Sequence, residues 1–159
     1  MSDFSTLIRP EFVLINPELT TSTAVIEALG ATLIDGGFGK ATLVEAALDR
    51  ERNYPTGLLL EADGVNAAIP HADREHVNVP AIAVAVLDKP VLFRQMDDPD
   101  SEIPVWLVFL LALPDADSQL QTLRALGKAL QNPKLISRLL TCATPDELII
   151  TIAEGSVSA

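Results

Sequence analysis

The residues able to do chemistry in this chain gather in two short stretches, Glu51 to Gly57 and Gly64 to His76. His71 follows Ile69-Pro70 at the end of a strand-like run. Proline has no backbone N–H and a fixed φ, so it ends strand pairing just before the histidine. The imidazole is therefore expected at a strand edge, in a loop, where function concentrates. Near neutral pH its uncharged ring offers a nucleophilic nitrogen, suited to general-base work, metal ligation or attack on phosphorus. Arg52 ends a helical run just before Pro55-Thr56-Gly57. Its planar guanidinium suits phosphate oxygens. Thr56 offers a hydroxyl donor, and Gly57 lets backbone approach an anion. Each residue also has a plainer reading. His71 as a turn cap fits the same residues, and so does Arg52 as a cation stabilising its own helix C-terminus, worth about 0.3–1 kcal/mol.

Other groupings carry less. His71, Asp73 and His76 resemble a two-histidine, one-carboxylate metal set. The histidines are five residues apart and no third exists, which does not match helical i, i+4 ligation, so no metal is expected. Asp97-Asp98-Pro99-Asp100-Ser101-Glu102 lacks the alternation and central glycine of a calcium loop and reads as a solvated turn. Cys142, the lone cysteine, permits no intramolecular disulfide and reads as a small buried hydrophobe.

The 159 residues carry 22 acids against 11 bases, a net charge of −11. That balance argues against nucleic acid or an anionic membrane surface as partner. Apolar residues are 48% and aromatics only 4%, so the core must be aliphatic. Met1 to Pro10 has no basic start leading into an apolar run, so no signal peptide is expected. The longest apolar run, Val105 to Leu113, falls well short of the roughly 20 residues a spanning helix needs. A cytoplasmic protein without membrane insertion is expected.

Around these residues the periodicity sets the elements. A strand is expected at Phe12 to Ile15, then a helix opening at Asn16-Pro17, striped by Val25, Ile26, Leu29 and Leu33 and ended by Gly36-Gly37. A second helix is expected from about Ala41 to Arg52. Leu58 to Glu61 and Val65 to Ile69 read as strands about an Asp63-Gly64 turn. Ala81 to Leu87 and Val105 to Leu113 are apolar throughout and belong inside a covered sheet, with helix the minor alternative for Val105 to Leu113 and a shorter strand at Val91 to Arg94. Three helices close the chain. The last opens at Thr144-Pro145-Asp146-Glu147, and the chain frays from Ser156 to Ala159. The order implies one α/β layered domain over residues 1–159 around a mixed sheet.

Pro55-Thr56-Gly57, then Gly64 with Ala68-Ile69-Pro70-His71-Ala72, resembles the signature of the fructose–mannitol class of IIA domains of the bacterial phosphoenolpyruvate-dependent sugar phosphotransferase system. That class includes the nitrogen-regulatory IIA proteins. Arg52 falls where the family places an arginine beside its active histidine. Ser118-Gln119-Leu120 through Leu126, then Gln131-Asn132-Pro133, resembles the family's C-terminal helices. The resemblance is best from about residue 41 to 153. It departs from mannitol-type and nitrogen-type members at Gln119, where they usually carry a second histidine. An amide still donates a hydrogen bond to phosphate but cannot titrate. The Gln form is more similar to the galactitol branch.

The resemblance implies an α/β sandwich with a mixed, about five-stranded sheet and helices on both faces. It implies that His71 takes a phosphoryl group from the phosphocarrier HPr and passes it to a IIB component, serving a membrane IIC indirectly and touching neither sugar nor membrane itself. Arg52, Thr56 and Gln119 would hold the phosphate, with no cofactor and no metal. His76 would be peripheral. The alternative is a nitrogen-type regulatory protein that signals by binding partners.

Overall fold

Two long strands, β5 (Ala81–Arg94) and β6 (Glu102–Ala112), pair antiparallel and form the spine of the molecule. The structure, a computed structural model, describes residues 4–60 and 64–158. Around the spine lie β1 (Val13–Ile15), β2 (Gly57–Leu58), β3 (Asn66–Ala68) and β4 (His71–Ala72). The order is β1-β5-β6-β3-β2, with β4 also on β6. β1 runs parallel to β5, β3 and β4 run parallel to β6, and β2 is antiparallel to β3. The helices are α1 (Ser22–Asp35), α2 (Leu43–Asn53), α3 (Ala116–Leu130), α4 (Pro133–Leu140) and α5 (Pro145–Ser158). This is the mixed α/β architecture expected, with six strands rather than about five. The extra one is β4, because His71 and Ala72 resume pairing with Leu111 and Ala112 beyond the proline.

Period-two alternation in the two central strands separates the core into two layers. On one face Ile82, Val84 and Val86 join Leu107, Phe109 and Leu111 against Leu126, Leu135, Leu139 and Leu148 of the last three helices. On the other face β5 presents Ala81, Ala83 and Ala85, with Val108 and Leu110, to Val25, Ile26, Leu29 and Leu33 of α1 and Leu43 and Ala47 of α2. The alanine row is small, which lets these two helices lie close to the sheet. They also lie close to each other: a Cβ on Gly30 of α1 would stand 2.4 Å from Val44 Cγ2 of α2. That packing seats α2 over β4 and so over the histidine.

Several boundaries differ from expectation for local reasons. α1 opens at Ser22, not Asn16, because Thr21 Oγ1 accepts the Ala24 N–H at 3.0 Å and Asn16 turns the chain with φ of 50°. Ala81 to Leu87 and Val91 to Arg94 are one strand with a register shift between Val86 and Val91. The left-handed residue after α1 is Gly37, at φ 81°. Only Gly57-Leu58 of the expected 58–61 strand pairs; Glu61 and Asp63 lie outside the described residues, and Gly64 has φ 70°. α5 is capped by Thr144 Oγ1, which accepts the Glu147 N–H at 3.2 Å, while Glu147 reaches back to the Ala143 N–H. It continues to Ser158 instead of fraying from Ser156, and Ala159 lies outside the described residues. No described helix is long and apolar enough to cross a membrane.

Gly57 is the tightest point beside the site. A Cβ there would meet the Arg94 carbonyl oxygen at 2.6 Å, and backbone cannot swing aside as a side-chain tip can. Gly57→Ala is expected to cost about 1–3 kcal/mol of stability, the usual range for overpacking. A denaturant midpoint equal to wild type would show that the β2 edge yields freely.

Candidate active site

His71 lies where one strand line is interrupted and restarted. β3 and β4 both pair with β6, and Ile69-Pro70 separates them. Pro70 donates nothing, but its carbonyl accepts the Leu111 N–H at 2.9 Å, so the chain stays attached to the sheet across the gap. The Ile69 N–H turns to Thr56, where the hydroxyl oxygen lies at 3.2 Å and the carbonyl at 3.3 Å. His71 emerges from this turn only 8% exposed, with Nδ1 buried and making no hydrogen bond.

Burial holds the imidazole below its ordinary value of 6.5, and the Arg50 guanidinium pushes it further the same way. The Ile69 and Pro70 carbonyls and the Asp73 carboxylate pull in the opposite direction. Arg50 donates to Asp73 Oδ1 at 3.0 Å, and its guanidinium carbon lies 5.6 Å from the centroid of the exposed Tyr54 ring. An ion pair and a cation–π contact thus orient the cation closest in effect to His71. These groups border an open cleft of about 540 Å³, lined among others by Thr42, Asp49, Arg50, Arg52, Tyr54 and Asp73. Beyond His71 the chain is sewn to the start of α2: Thr42 Oγ1 and His76 Nδ1 share a hydrogen bond of 2.7 Å, and the Lys40 N–H donates to the His76 carbonyl at 2.9 Å.

The expected phosphate ligands are placed unequally. Arg52 lines the cleft but is exposed and paired with Asp49 at 3.2 Å, one turn back on its own helix. The cation acting on His71 is Arg50, two residues earlier. Helical spacing carries the signal for it. Arg50 is three residues after Ala47 and seven after Leu43, the two buried residues of α2, so it extends the edge of the helix turned to the sheet. Thr56 is buried and its hydroxyl is already engaged, donating to Glu51 Oε1 at 2.8 Å and accepting from Ile69. It supports the turn before His71 rather than offering a free donor to phosphate. Gln119, in the second turn of α3, borders a second open depression of about 300 Å³ that shares Asp73 with the cleft and includes Arg74 and Asp115. Thus Asp73 joins the Arg50 side of the site to the Gln119 side. His76, expected to be peripheral, lines the same cleft, with its Nδ1 engaged by Thr42.

The other candidates stay outside the site. Among the described residues no three His, Cys, Asp or Glu side chains are grouped to hold a metal ion. Cys142 is buried, with its thiol on the Arg138 carbonyl at 3.3 Å. Asp98 accepts from the Ser101 hydroxyl in the turn between β5 and β6.

Two outcomes follow from the electrostatics. Arg50→Ala is expected to raise the His71 midpoint toward 6.5, read by NMR titration of the ring; an unchanged or lower midpoint would remove Arg50 from the site's field. His71 binds protons less readily folded than unfolded, so its contribution to stability is full above pH 6.5 and is lost as pH falls below it. Glu51, raised to about 7, has the opposite slope. The His71 part is therefore read as the difference between wild type and His71→Gln, and parallel stability curves would refute it.

Residues 6–155 match the family described as phosphoenolpyruvate-dependent sugar phosphotransferase system, EIIA 2. The galactitol-specific EIIA component of Escherichia coli is 33% identical over 117 residues, covering 74% of this chain and 76% of that protein. The nitrogen regulatory protein of Pseudomonas aeruginosa is 32% identical over 123 residues, 74% of each. Among solved structures, the complex of Escherichia coli enzyme IIA mannitol with phosphorylated enzyme IIB mannitol matches with a TM-score of 0.74 at 25% identity, covering 93% of this chain and 99% of that one. A match across nearly the whole chain, in sequence and in fold, makes this protein a member of the EIIA type 2 family of the sugar phosphotransferase system, a family of phosphotransfer components.

Proposed function

We propose that the whole chain works as a cytoplasmic phosphocarrier in which His71 accepts a phosphoryl group from phospho-HPr and passes it to a IIB component. The observation that carries this reading is a buried imidazole, kept uncharged by burial and by Arg50, two residues before Asp73, which lines an open cleft together with Arg50. An uncharged ring keeps the lone pair that attacks phosphorus. Nδ1 is enclosed, which leaves Nε2 as the attacking nitrogen. The bond between phosphorus and the donor's histidine nitrogen breaks as the bond to Nε2 forms, in line, and the His71 proton stays on Nδ1. The onward step breaks that new bond as the IIB group attacks. Such transfer depends on positioning and on donors around the equatorial oxygens. Arg50 is the proposed oxygen ligand nearest in effect, with the Gln119 amide opposite and Arg52 at the cleft's lip.

A galactitol-like sugar alcohol is the proposed cargo of the membrane IIC that this chain serves. The galactitol-specific relative supports it, together with the amide at Gln119. The nitrogen regulatory relative favours a second reading, in which the phosphorylated state signals by protein binding. The acid-rich cleft wall, with Glu45, Asp49, Asp73 and Glu75, suits a donor with a basic docking face.

The deciding experiment is phosphotransfer reconstituted from phosphoenolpyruvate, enzyme I and HPr, with candidate IIB components, read by intact mass. Wild type is expected to gain one phosphoryl group and lose it to IIB, and His71→Ala to gain none. Arg50→Ala is expected to slow transfer about 10- to 100-fold, the worth of a charge-assisted hydrogen bond, and Arg52→Ala less than about threefold. Labelling of His71→Ala at the wild-type level would refute the site. Phosphorylation that no IIB component discharges would favour the signalling reading.

A further inference from the structure

Glu51 sits where a carboxylate is poorly placed. It is in the last turn of α2, near the negative end of the helix dipole, and burial raises it to about 7. Local rules broken in this way tend to mark functional positions. Here the side chain accepts both donors of one residue: the Thr56 N–H at Oε2, 3.0 Å, and the Thr56 hydroxyl at Oε1, 2.8 Å. Because the hydroxyl proton points to Glu51, a lone pair of the same oxygen is left for the Ile69 N–H at 3.2 Å. Ile69 is two residues before His71, and Pro70 between them has no N–H with which to make a competing bond.

We propose, on the basis of the phosphocarrier reading above, that Glu51 is a positioning residue for His71, acting through Thr56 on the Ile69-Pro70 turn. The chain of bonds has a direction, from Ile69 N–H to Thr56 oxygen and from Thr56 O–H to the carboxylate. Only ionised Glu51 matches it at both oxygens. A proton on Oε1 would make Glu51 a competing donor to the Thr56 oxygen and displace the hydroxyl proton that now points at it. The turn would then lose its anchor while the docking cleft, built by other residues, stayed intact. Because in-line transfer tolerates little misplacement, the effect falls on the transfer step rather than on partner binding.

The surroundings keep Glu51 responsive. Arg94 of β5 is the charged group that lowers its midpoint, and its guanidinium also caps α2 through the Arg52 carbonyl. Arg52 is the other cation bordering the same small cavity of about 120 Å³. α1 contributes Ser22, Thr23 and Ile26 there, and α2 adds Leu48, none of them ionisable near neutrality.

The test compares wild type with Glu51→Gln, Thr56→Val and Thr56→Ser, measuring kcat and KM for phospho-HPr across neutral pH and following the His71 ring by 15N NMR. Glu51→Gln and Thr56→Val are expected to lose about tenfold in kcat with KM changed less than about twofold, and Thr56→Ser to keep wild-type rates. Wild-type kcat should fall as pH drops through about 7, and His71 should report that step in its chemical shift. Both features should vanish in Glu51→Gln. A folded Glu51→Gln with wild-type kcat and pH profile would overturn the proposal, as would a loss confined to KM. Should Glu51→Gln not fold, Thr56→Val and the wild-type pH step decide. If wild type accepts no phosphoryl group, the phosphocarrier reading fails on its own, and the presence or absence of the NMR step still decides Glu51.

Discussion

Everything around His71 depends on α2 being fastened to the chain on both sides of that residue. Before it, Glu51 holds Thr56, and Thr56 holds Ile69. After it, Arg50 pairs with Asp73 and Thr42 shares a bond with His76. Taken singly these contacts are modest. A neutral hydrogen bond is worth about 0.5–1.5 kcal/mol net, one to a charged group about 1.5–3 kcal/mol, and a half-exposed ion pair about 0–1 kcal/mol. Their joint effect is geometric: they fix a buried ring between one helix and one sheet edge, which the hydrophobic core alone, having no direction, would not do.

The same arrangement reconciles burial with reactivity. An imidazole in the interior loses water, and its charged form becomes costly. For the proposed acceptor of phosphorus that is useful, because the attacking nitrogen must carry a free lone pair. The carbonyls of Ile69 and Pro70 and the Asp73 carboxylate limit how far the shift goes. A ring pushed too far down would protonate too reluctantly to leave again. The balance comes from opposing groups on three elements, the α2 helix, the turn before His71 and the segment after β4.

Net charge is often read as a global property, but the cleft shows its local use. Against the background of −11, Arg50 and Arg52 stand among Glu45, Asp49, Asp73 and Glu75. Screening confines each charge to about a Debye length, near 8–10 Å at moderate salt. The two arginines therefore act on what enters the cleft, while the acids set the field met by an approaching partner.

The chain's order alone carried the architecture and the break in strand pairing before His71. The continuous apolar runs Ala81 to Leu87 and Val105 to Leu113 meant strands covered on both faces, and Pro70 meant a strand broken just before His71; both are consequences of residue type. The family signature around Ile69-Pro70-His71 was equally plain. What tertiary structure decided was which neighbours serve the ring. Arg50 and Arg52 are two residues apart and chemically alike, and their difference is the direction each leaves the helix once Gly30 and the alanine row have seated α2. Thr56 carries a hydroxyl that sequence offers to phosphate, yet packing commits it to Glu51 and Ile69. Glu51 stands in the first chemistry-bearing stretch with no role assigned to it from sequence, because burial and hydrogen-bond partners depend on how layers pack rather than on local pattern.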